Sequence, residues 1–504
     1  MKYGPTLLVI LDGFGYSTNT SNNAIAHART TTIMDWFHQY PSSLLQASGQ
    51  AVGLLPGMIG NSEVGHMTIG SGRIIEQPVT RITHALKSHV YAHESSFIEH
   101  FQQIKKTHKK LHFIGLLSDA GVHSLESHLF GLLELAATQG VTHIVVHPFL
   151  DGRDTPPQSA ALYLTRLESV LKKLGIGTIG TLHGRFYAMD RDNNWDRTQK
   201  SSIMLTQPQQ ILYPSWQEAL DYYYKLGIYD EFIPPVALKS DIHIQPDDAV
   251  IFFNFREDRA RQLTHALVDN HFTHFKRTHI PLSWFVAGIQ YYPELDCNVL
   301  CSKPQVSNSF TDVLAQEHKT IFSIAETEKY AHITYFFNGG REIIRNQETR
   351  VLIPSKGCVS YKDCPEMSGE QITQQVIQSL ETNPADIYII NYAQADMVGH
   401  SGDFAATTQA IDYLNNHLKE LYTHVEKLNG TLYITADHGK AESMFDNNAQ
   451  QPRTAHTTNL VPFIMLRKDL KDKHYTLPLT QLANIAPFIL EQLKLPVPPD
   501  MLKP

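Results

Sequence analysis

Short apolar runs alternate with segments of helical periodicity along most of the chain. Many of the runs are continuous in Val, Ile, Leu and Phe, as expected for strands that are buried on both faces of a sheet. We predict strands at Thr6–Leu11, Leu111–Leu117, Thr142–His147, Gly177–Leu182, Ala249–Asn254, Thr320–Ala325, His332–Phe337, Ile387–Tyr392, Thr431–Ala436 and Val461–Met465.

Helical periodicity is clearest between residues 411 and 428. Apolar side chains recur there at the spacing of one helix face, at Ile411, Leu414, Leu418, Leu421, Val425 and Leu428. Weaker patterns predict helices at Leu125–Thr138, Ser159–Lys173, Arg259–Val268 and Thr480–Leu493. The alternation of strands and helices predicts an α/β protein with largely parallel sheets.

Composition narrows the class of protein. A chain of 504 residues can form two or more domains, and 42% hydrophobic with 18% charged residues is typical of globular proteins. The net charge of −8 gives no basic signature for nucleic-acid binding, and no apolar run approaches the roughly 18 residues of a membrane span. The 4 cysteines form no CxxC pair, so we expect reduced thiols and a cytoplasmic protein. The 27 histidines invite a search for metal ligands.

The stretch Pro56–Gly72, PGMIGNSEVGHMTIGSG, presents a serine in a setting that suits chemistry. Gly57 and Gly60 allow tight backbone turns, and Asn61 and Ser62 are good helix N-cap residues. A hydroxyl at a helix N-terminus lies among unpaired N–H groups that favour phosphate. Because serine is a weak nucleophile without a base or a metal, an ordinary glycine-rich loop with a cap remains the alternative for this stretch alone.

Aspartate and histidine residues cluster near strand ends elsewhere. Asp12 closes the first strand, and Asp396 and His400 follow another at helical i, i+4 spacing; Asp437, His438 and His456 complete the set. Each is more often a cap or a satisfied polar residue when taken singly. Together with Ser62 they provide enough O and N ligands for two cations, with Mn²⁺ favoured and Zn²⁺ or Co²⁺ left open. Such a pair could activate Ser62 and stabilise an in-line phosphoryl transfer.

The ligands come from both ends of the chain, which predicts a discontinuous domain. We assign residues 1–76 and 306–504 to a metal-binding domain and residues 77–305 to an inserted α/β domain. The insert carries histidine, arginine and aspartate residues after candidate strands, which suit a small, multiply anionic substrate; the alternative is a salt-bridged surface. They are His123, Arg153, Asp154, Arg185, Arg191, Arg256 and Arg259.

Long motifs spread from residue 11 to residue 459 resemble those of the 2,3-bisphosphoglycerate-independent phosphoglycerate mutases, in the same order. They are LDGFG, GNSEVGHMTIGSGR, DGRDTPP, GRFYAMDRD, NFREDRARQ, ETEKYAHITYFFNGG, DMVGHSGD, TADHGKAE and TAHTTN. The resemblance implies an alkaline-phosphatase-like domain interrupted by a transferase domain. It also implies interconversion of 3-phosphoglycerate and 2-phosphoglycerate in glycolysis and gluconeogenesis by a monomeric isomerase that uses two Mn²⁺ ions and no organic cofactor.

The resemblance also implies a role for individual residues. One Mn²⁺ site matches Asp396, His400 and His456, and the other matches Asp12, Ser62, Asp437 and His438. Ser62 matches the serine that becomes phosphorylated, and Asp154 resembles a general acid/base. The substrate-binding positions match His123, Arg153, Asp154, Arg185, Arg191, Arg256, Arg259 and Lys329. Lys440 departs from the family, which usually has asparagine there.

Three alternatives remain at this point. A metal-dependent phosphatase or sulfatase could use the same metal pair, but the arginine-rich insert and Asp154 argue against it. A phosphopentomutase of the same superfamily finds no support in DGRDTPP and NFREDRAR. A non-catalytic metal- or anion-binding relative would usually lack a ligand or the nucleophile, and all of these are present.

Overall fold

The computed structural model describes residues 4–447 and 450–503. The chain divides into two compact units. Unit 1 is built from both ends of the chain, up to Gln77 and again from Pro304, and unit 2 is Pro78–Lys303. The divisions predicted from the sequence were 76/77 and 305/306.

The strands are named β1 to β17 in chain order. They are β1 Thr6–Leu11, β2 Ser42–Leu45, β3 Leu111–Leu116, β4 Ile144–Leu150, β5 Thr178–Ile179, β6 Thr181–Gly184, β7 Val236–Ala237, β8 Ala249–Phe252, β9 Trp284–Ala287, β10 Asn298–Val299, β11 Ile321–Glu326, β12 Glu348–Ile353, β13 Ile387–Tyr392, β14 Thr431–Thr435, β15 Phe445–Asp446, β16 Gln451–Pro452 and β17 Val461–Leu466.

The α-helices are named α1 to α16. They are α1 Thr32–Gln39, α2 Ser62–Ser71, α3 Pro78–Lys87, α4 Val90–His93, α5 Ser95–Thr107, α6 Glu126–Thr138, α7 Ala160–Leu174, α8 Arg185–Ala188, α9 Trp195–Thr206, α10 Trp216–Lys225, α11 Arg261–Val268, α12 Phe310–Gln316, α13 Gly369–Thr382, α14 Gln394–Gly399, α15 Phe404–Lys427 and α16 Ile485–Gln492. Among the described residues, no helix is both long and apolar enough to span a membrane.

Unit 1 is organised around a seven-stranded sheet of order β12–β11–β13–β1–β14–β17–β2. Strands β12 to β14 in that order run parallel, whereas β17 is antiparallel to both of its neighbours. The central strands β13, β1 and β14 are buried at every residue, which explains their continuous apolar sequences. Because parallel strands end at the same edge, the residues that follow β13, β1 and β14 are neighbours.

Unit 2 has a second sheet, of order β10–β9–β8–β3–β4–β6–β7, and β5 also pairs with β4. All of its pairs are parallel except β6 with β7. The segments that follow β3, β4, β6 and β8 therefore meet at one edge of this sheet. Those segments carry the histidine and arginine residues that the sequence singles out. The predicted α/β class with largely parallel sheets is confirmed by both units.

Two predictions about local structure are wrong. His332–Phe337 was predicted as a strand, but His332–Phe336 forms a π-helical turn. Its apolar residues Ile333 and Phe337 are buried at helical i, i+4 spacing, and the segment packs against α2 instead of joining the sheet. Reduced cysteines were also expected, yet Cys358 and Cys364 are joined by a disulfide. The short turn between these two residues brings their Cα atoms to 6.7 Å, a proximity that their spacing does not reveal.

Candidate active site

Ser62 is the first residue of helix α2 and lies beside the ends of β1 and β14. Asn61 caps the helix, since its side chain accepts a hydrogen bond of 3.1 Å from the Val64 amide. The Ser62 hydroxyl donates to Asp12 Oδ1 at 2.9 Å. A side chain at Gly65 would meet the Asp437 carbonyl oxygen at 2.5 Å, so glycine there lets α2 approach the loop after β14. The first turn of α2 is thereby held against the candidate ligands.

Asp396, His400 and His456 form one compact group. Asp396 Oδ1 lies 3.2 Å from Nε2 of each histidine, and the two Nε2 atoms are 3.1 Å apart. The Nδ1 atoms face the carbonyl oxygens of Thr454 and Gly60 at 2.8 and 2.9 Å. Because a carbonyl only accepts, each Nδ1 carries the proton and each neutral ring presents an Nε2 lone pair. Asp396 Oδ1 has no hydrogen-bond partner among the described residues, so three acceptors converge where a cation fits.

Asp12, Ser62, Asp437 and His438 form the second group. His438 Nε2 lies 3.1 Å from Ser62 Oγ, 3.4 Å from Asp12 Oδ1 and 3.5 Å from Asp437 Oδ2. Asp437 Oδ1 accepts from the amides of Gly13 and His438, at 3.1 and 3.0 Å. Asp437 Oδ2 is buried without a hydrogen-bond partner among the described residues. A buried carboxylate oxygen of this kind suits a metal ion.

Lys329 lies between the two groups. Its ammonium donates to Asp12 Oδ1, Ser62 Oγ and Asp396 Oδ2, each at 2.7 Å. Burial alone would lower the pKa of Lys329, but Asp12, Asp396 and Asp437 raise it well above its usual value. The sequence assigned Lys329 to the substrate-binding set, whereas the structure places it in unit 1 against the carboxylates.

The charge balance of this centre suits divalent cations. Burial would raise the pKa of Asp12 and Asp396, yet Lys329 and His438 hold both well below the usual value. Burial would lower the pKa of His438, but Asp437 and Asp12 raise it to about 9. The carboxylates of Asp12, Asp396 and Asp437 outnumber the ammonium of Lys329 that lies among them, and these four groups are buried. Oxygen and imidazole donors without cysteine are the ligands that Mn²⁺ or Zn²⁺ accepts.

In unit 2, Asp258 collects three of the predicted substrate-binding side chains. Arg191 Nη1 donates to Asp258 Oδ2 at 2.7 Å, while Arg256 Nε and His123 Nδ1 lie 3.4 and 3.7 Å from Oδ1. Asp258 was not among the predicted residues, although it lies inside the NFREDRAR motif between Arg256 and Arg259. Its negative charge attracts the guanidinium groups of Arg191 and Arg256, which would otherwise repel each other.

Arg185 is held by two carboxylates in the same unit. Its Nη1 donates to Asp151 Oδ1 at 2.7 Å and to Asp154 Oδ2 at 2.6 Å. Asp151 also accepts from the Arg153 and Asp154 amides, at 3.2 and 3.0 Å, and so shapes the turn that carries both. The Arg153 guanidinium forms a salt bridge of 3.3 Å with Glu231 and is more than half exposed.

The cluster has a surplus of positive charge. Burial lowers the pKa of Arg259, and the neighbouring guanidinium groups of Arg191 and Arg185 lower it further. Burial also lowers the pKa of His123 to about 3, with Arg185 acting in the same direction, so His123 is neutral at pH 7. An anionic ligand would relieve this repulsion. The structure therefore brings all the predicted unit 2 residues together, and Lys329 belongs to unit 1.

Comparisons with known proteins give the family. The protein-family model described as BPG-independent PGAM N-terminus (iPGM_N) matches residues 82–293 of this chain. The 2,3-bisphosphoglycerate-independent phosphoglycerate mutase of Legionella pneumophila (strain Philadelphia 1) is 44% identical over 99% of this chain and 96% of its own. The chain belongs to the 2,3-bisphosphoglycerate-independent phosphoglycerate mutase family. It is accordingly an enzyme of the isomerase class.

Other members of the family agree with this placement. The phosphoglycerate mutase of Coxiella burnetii (strain Dugway) is 42% identical over 99% of this chain and 96% of its own. A crystal structure of the Leishmania mexicana phosphoglycerate mutase at low cobalt concentration is similar, with a TM-score of 0.77 and 29% identity. That similarity covers 100% of this chain and 97% of the Leishmania chain.

Lys440 occupies a position at which members of this family usually have asparagine. Its ammonium is buried, donates to the Arg453 carbonyl at 2.9 Å and interacts electrostatically with Asp396. Burial lowers the pKa of Lys440 to about 8, so it remains mostly cationic at pH 7.

We expect the substitution Lys440→Met, which removes the positive charge but keeps the apolar stem, to tighten Mn²⁺ binding about three- to tenfold, because a cation beside Asp396 opposes the binding of another cation. Calorimetric titration of the apoprotein measures this; unchanged or weaker binding with an unaltered unfolding temperature would contradict the prediction.

Proposed function

We propose that the chain interconverts 3-phosphoglycerate and 2-phosphoglycerate through a phosphoserine at Ser62, without 2,3-bisphosphoglycerate. The observation that carries this proposal is the position of Ser62 Oγ at a helix N-terminus. It lies within hydrogen-bonding distance of Asp12, His438 and Lys329. A hydroxyl surrounded by a carboxylate, an imidazole and an ammonium is suited to accept and return a phosphoryl group.

We further propose that unit 1 holds two Mn²⁺ ions, with Zn²⁺ or Co²⁺ as alternatives. Asp396, His400 and His456 would hold one, and the group around Asp12, Ser62, Asp437 and His438 would hold the other. When bound, such ions lower the pKa of a hydroxyl and neutralise phosphoryl oxygens. The converging lone pairs around Asp396 Oδ1 and the unpartnered Asp437 Oδ2 support this assignment.

The residues then divide the reaction between them. Ser62 passes its hydroxyl proton to Asp12, which accepts its hydrogen bond, and Ser62 Oγ attacks the phosphorus of 3-phosphoglycerate. The bond from phosphorus to the glycerate 3-oxygen breaks, and Asp154 in its acid form gives that oxygen a proton. Lys329 and the N–H groups at the start of α2 neutralise the charge on the phosphoryl group. Asp154 next removes the proton of the 2-hydroxyl, whose oxygen takes the phosphoryl group from Ser62, and Asp12 returns the proton to Ser62 Oγ. Water must be kept from the phosphoserine, because hydrolysis would make the enzyme a phosphatase.

Unit 2 supplies the glycerate-binding groups in this scheme. Arg191, Arg256 and Arg259 carry guanidinium groups that suit the carboxylate of a small acid, and Arg185 orients Asp154 through the bond of 2.6 Å. We propose that unit 1 is the metal-binding, phosphatase-like domain and unit 2 the substrate-binding domain. From its family we also infer a monomeric cytoplasmic enzyme of glycolysis and gluconeogenesis.

Capture of the phosphorylated enzyme tests this proposal. The protein is mixed with Mn²⁺ and 3-phosphoglycerate, quenched in acid within milliseconds and digested for mass spectrometry. The proposal predicts a fraction of the Ser62 peptide carrying one added phosphoryl group. Turnover without any modified Ser62 peptide, under conditions where a synthetic phosphopeptide survives, would contradict it.

Asp154→Asn is expected to lower kcat by roughly 10²- to 10⁴-fold with little change in KM. Asparagine can still accept the hydrogen bond from Arg185, but it cannot transfer a proton at neutral pH. Steady-state rates in both directions measure the effect. Asp119→Asn serves as the matched control, because the hydrogen bonds of the Asp119 carboxylate go to Tyr163 and Arg166. Equal losses in both variants would assign the effect to general loosening of unit 2.

A further inference from the structure

Ser62 belongs to a closed ring of hydrogen bonds that includes two residues without an assigned role. The Ser62 hydroxyl donates to Asp12 Oδ1 at 2.9 Å, and Asp12 Oδ2 accepts from Asn391 Nδ2 at 3.0 Å. The same Asn391 nitrogen lies 2.9 Å from His66 Nε2. His66 Nδ1 lies 2.8 Å from the backbone carbonyl oxygen of Ser62, which closes the ring.

The protons in this ring can be arranged in only one way while His66 is neutral. Asp12 is a carboxylate and only accepts, so it fixes the Asn391 amide with its nitrogen towards Asp12. The two hydrogens of that nitrogen go to Asp12 and to His66 Nε2, which must therefore be an acceptor. The proton of His66 is then on Nδ1 and is donated to the Ser62 carbonyl. Each polar contact determines the next.

This arrangement excludes His66 as a metal ligand, although it is close to candidate ligands. His66 Nδ1 lies 3.2 Å from Asp437 Oδ2, and His66 groups with Asp12 and Asp437 by distance alone. Its Nδ1 carries a proton and its Nε2 lone pair is used by Asn391, so neither nitrogen is available to a cation. His66 and Asn391 are both fully buried, and the His66 ring packs against His332.

We propose that His66 and Asn391 are positioning residues for Ser62 and Asp12. His66 fixes the backbone of the first turn of α2, and Asn391 fixes the carboxylate that accepts the Ser62 hydroxyl. This inference rests on the proposed roles of Ser62 as phosphoryl carrier and Asp12 as ligand. Residues that orient ligands in this way typically account for a 10- to 100-fold effect on metal affinity or activity.

Different substitutions of His66 remove its two hydrogen bonds one at a time. His66→Asn places an amide N–H near the Nδ1 position and keeps only the contact to the Ser62 carbonyl. His66→Gln places an amide oxygen near the Nε2 position and keeps only the contact to Asn391. His66→Ala loses both, and Asn391→Leu is close in shape but donates to neither neighbour.

Thr68→Val provides the matched control on the same helix. Thr68 is buried and donates to the Val64 carbonyl at 2.7 Å, which is the same i−4 type of contact that His66 makes to Ser62. It contacts none of the candidate ligands through that bond. Its replacement reports the effect of loosening α2 in general.

The experiment measures three quantities on each full-length variant: the dissociation constant for Mn²⁺ by calorimetry, kcat and KM for 3-phosphoglycerate, and the unfolding temperature. We expect His66→Ala and Asn391→Leu to weaken Mn²⁺ binding and lower kcat by about 10- to 100-fold, with KM nearly unchanged. His66→Asn and His66→Gln should each recover part of the loss. Thr68→Val should keep the wild-type Mn²⁺ affinity and kcat.

Two outcomes would overturn the inference. In the first, folded His66→Ala and Asn391→Leu proteins bind Mn²⁺ and turn over like the wild type. In the second, Thr68→Val loses as much as they do. The Mn²⁺ titration remains informative even if the protein shows no mutase activity, so failure of the positioning role is distinguishable from failure of the proposed function.

Discussion

Replacement of Ser62 with alanine is expected to reduce mutase turnover by roughly 10⁵-fold while leaving the fold intact. The hydroxyl is the group proposed to carry the phosphoryl during transfer, so no other side chain at the site takes over its covalent role. The structural cost is small because alanine is a strong helix former and because Lys329 still donates directly to Asp12 when the hydroxyl is removed. The loss should therefore appear in kcat and not in the unfolding temperature.

Ser71→Ala is the matched control for this experiment. Ser71 is buried at the end of the same helix, and its hydroxyl lies within hydrogen-bonding distance of backbone carbonyls, at 3.1 Å to Arg73 and 3.4 Å to Thr68. Both variants are assayed with Mn²⁺ and 3-phosphoglycerate, and their folding is compared by circular dichroism. Mutase activity retained in Ser62→Ala would rule out this serine as the carrier.

A large loss of stability is also expected in acid, because a chain of buried hydrogen bonds in unit 2 depends on neutral histidines. His112 bridges Asp248 Oδ2 and His147, at 3.1 and 2.9 Å. Thr181 Oγ1 continues the chain, 2.8 Å from His147 Nδ1 and 2.7 Å from His183 Nε2. The three histidines and Thr181 are fully buried, on the adjacent strands β3, β4 and β6.

This chain is complete only when its histidines are neutral. Asp248 is ionised, because hydrogen bonds hold its pKa below the usual value against the effect of burial. His112 must then donate to Asp248 and accept from His147, which in turn accepts from Thr181 and leaves His183 as donor. A proton added to any of these rings would turn a lone pair into an N–H facing another donor or the apolar interior.

Acid is therefore expected to destabilise unit 2. Burial lowers the pKa of His112 and His147, and it lowers that of His183 to about 3. The unfolded chain, with ordinary histidine pKa values near 6.5, binds more protons than the folded chain below that pH. Stability should thus be constant above about pH 7.5 and fall as the pH drops below about 6.5. With three such groups, the free energy of unfolding should fall by up to about 4 kcal/mol per pH unit.

Urea unfolding followed by tryptophan fluorescence between pH 8 and pH 5 measures this slope. Trp195, Trp216 and Trp284 all lie in unit 2, so the signal reports mainly on that unit. His183→Gln is the informative variant, because glutamine can still donate to Thr181 but does not titrate. It should reduce the slope contributed by the chain by about one third. A slope unchanged by this variant, or a wild-type stability independent of pH down to 5, would contradict the account.

The sequence predicted the interior strands better than the edges and turns. Strands β1 and β13 begin and end where predicted, because continuous apolar runs mark strands buried on both faces. Strand β12 was missed since it lies at the sheet edge, is only partly buried and contains Glu348 and Arg350. The π-helical turn at His332–Phe336 was read as a strand because its aromatic and β-branched residues favour either structure locally.

The sequence predicts a site residue when the position of that residue relative to a strand already indicates its role. Asp12 directly follows β1, and Asp437 follows β14 after a single residue, a pattern visible in the sequence. Asp258, His66 and Asn391 were missed, because they act on other side chains and nothing local separates them from ordinary polar residues. The i, i+4 spacing of Ser62 and His66 was the one available signal for the ring. The location of Lys329 among carboxylates depends on contacts between distant segments, which spacing alone does not reveal.

Phosphorus NMR tests the proposed mutase reaction most directly. Purified protein, Mn²⁺ and 3-phosphoglycerate are combined without any bisphosphoglycerate, and both phosphoglycerates and free phosphate are recorded before and after EDTA. We expect 2-phosphoglycerate to appear until the mixture is stable, free phosphate to stay negligible, and chelation to stop the exchange. Steady release of phosphate would contradict it in favour of a hydrolase, and a folded, metal-loaded protein that leaves 3-phosphoglycerate unchanged would contradict the proposed substrate.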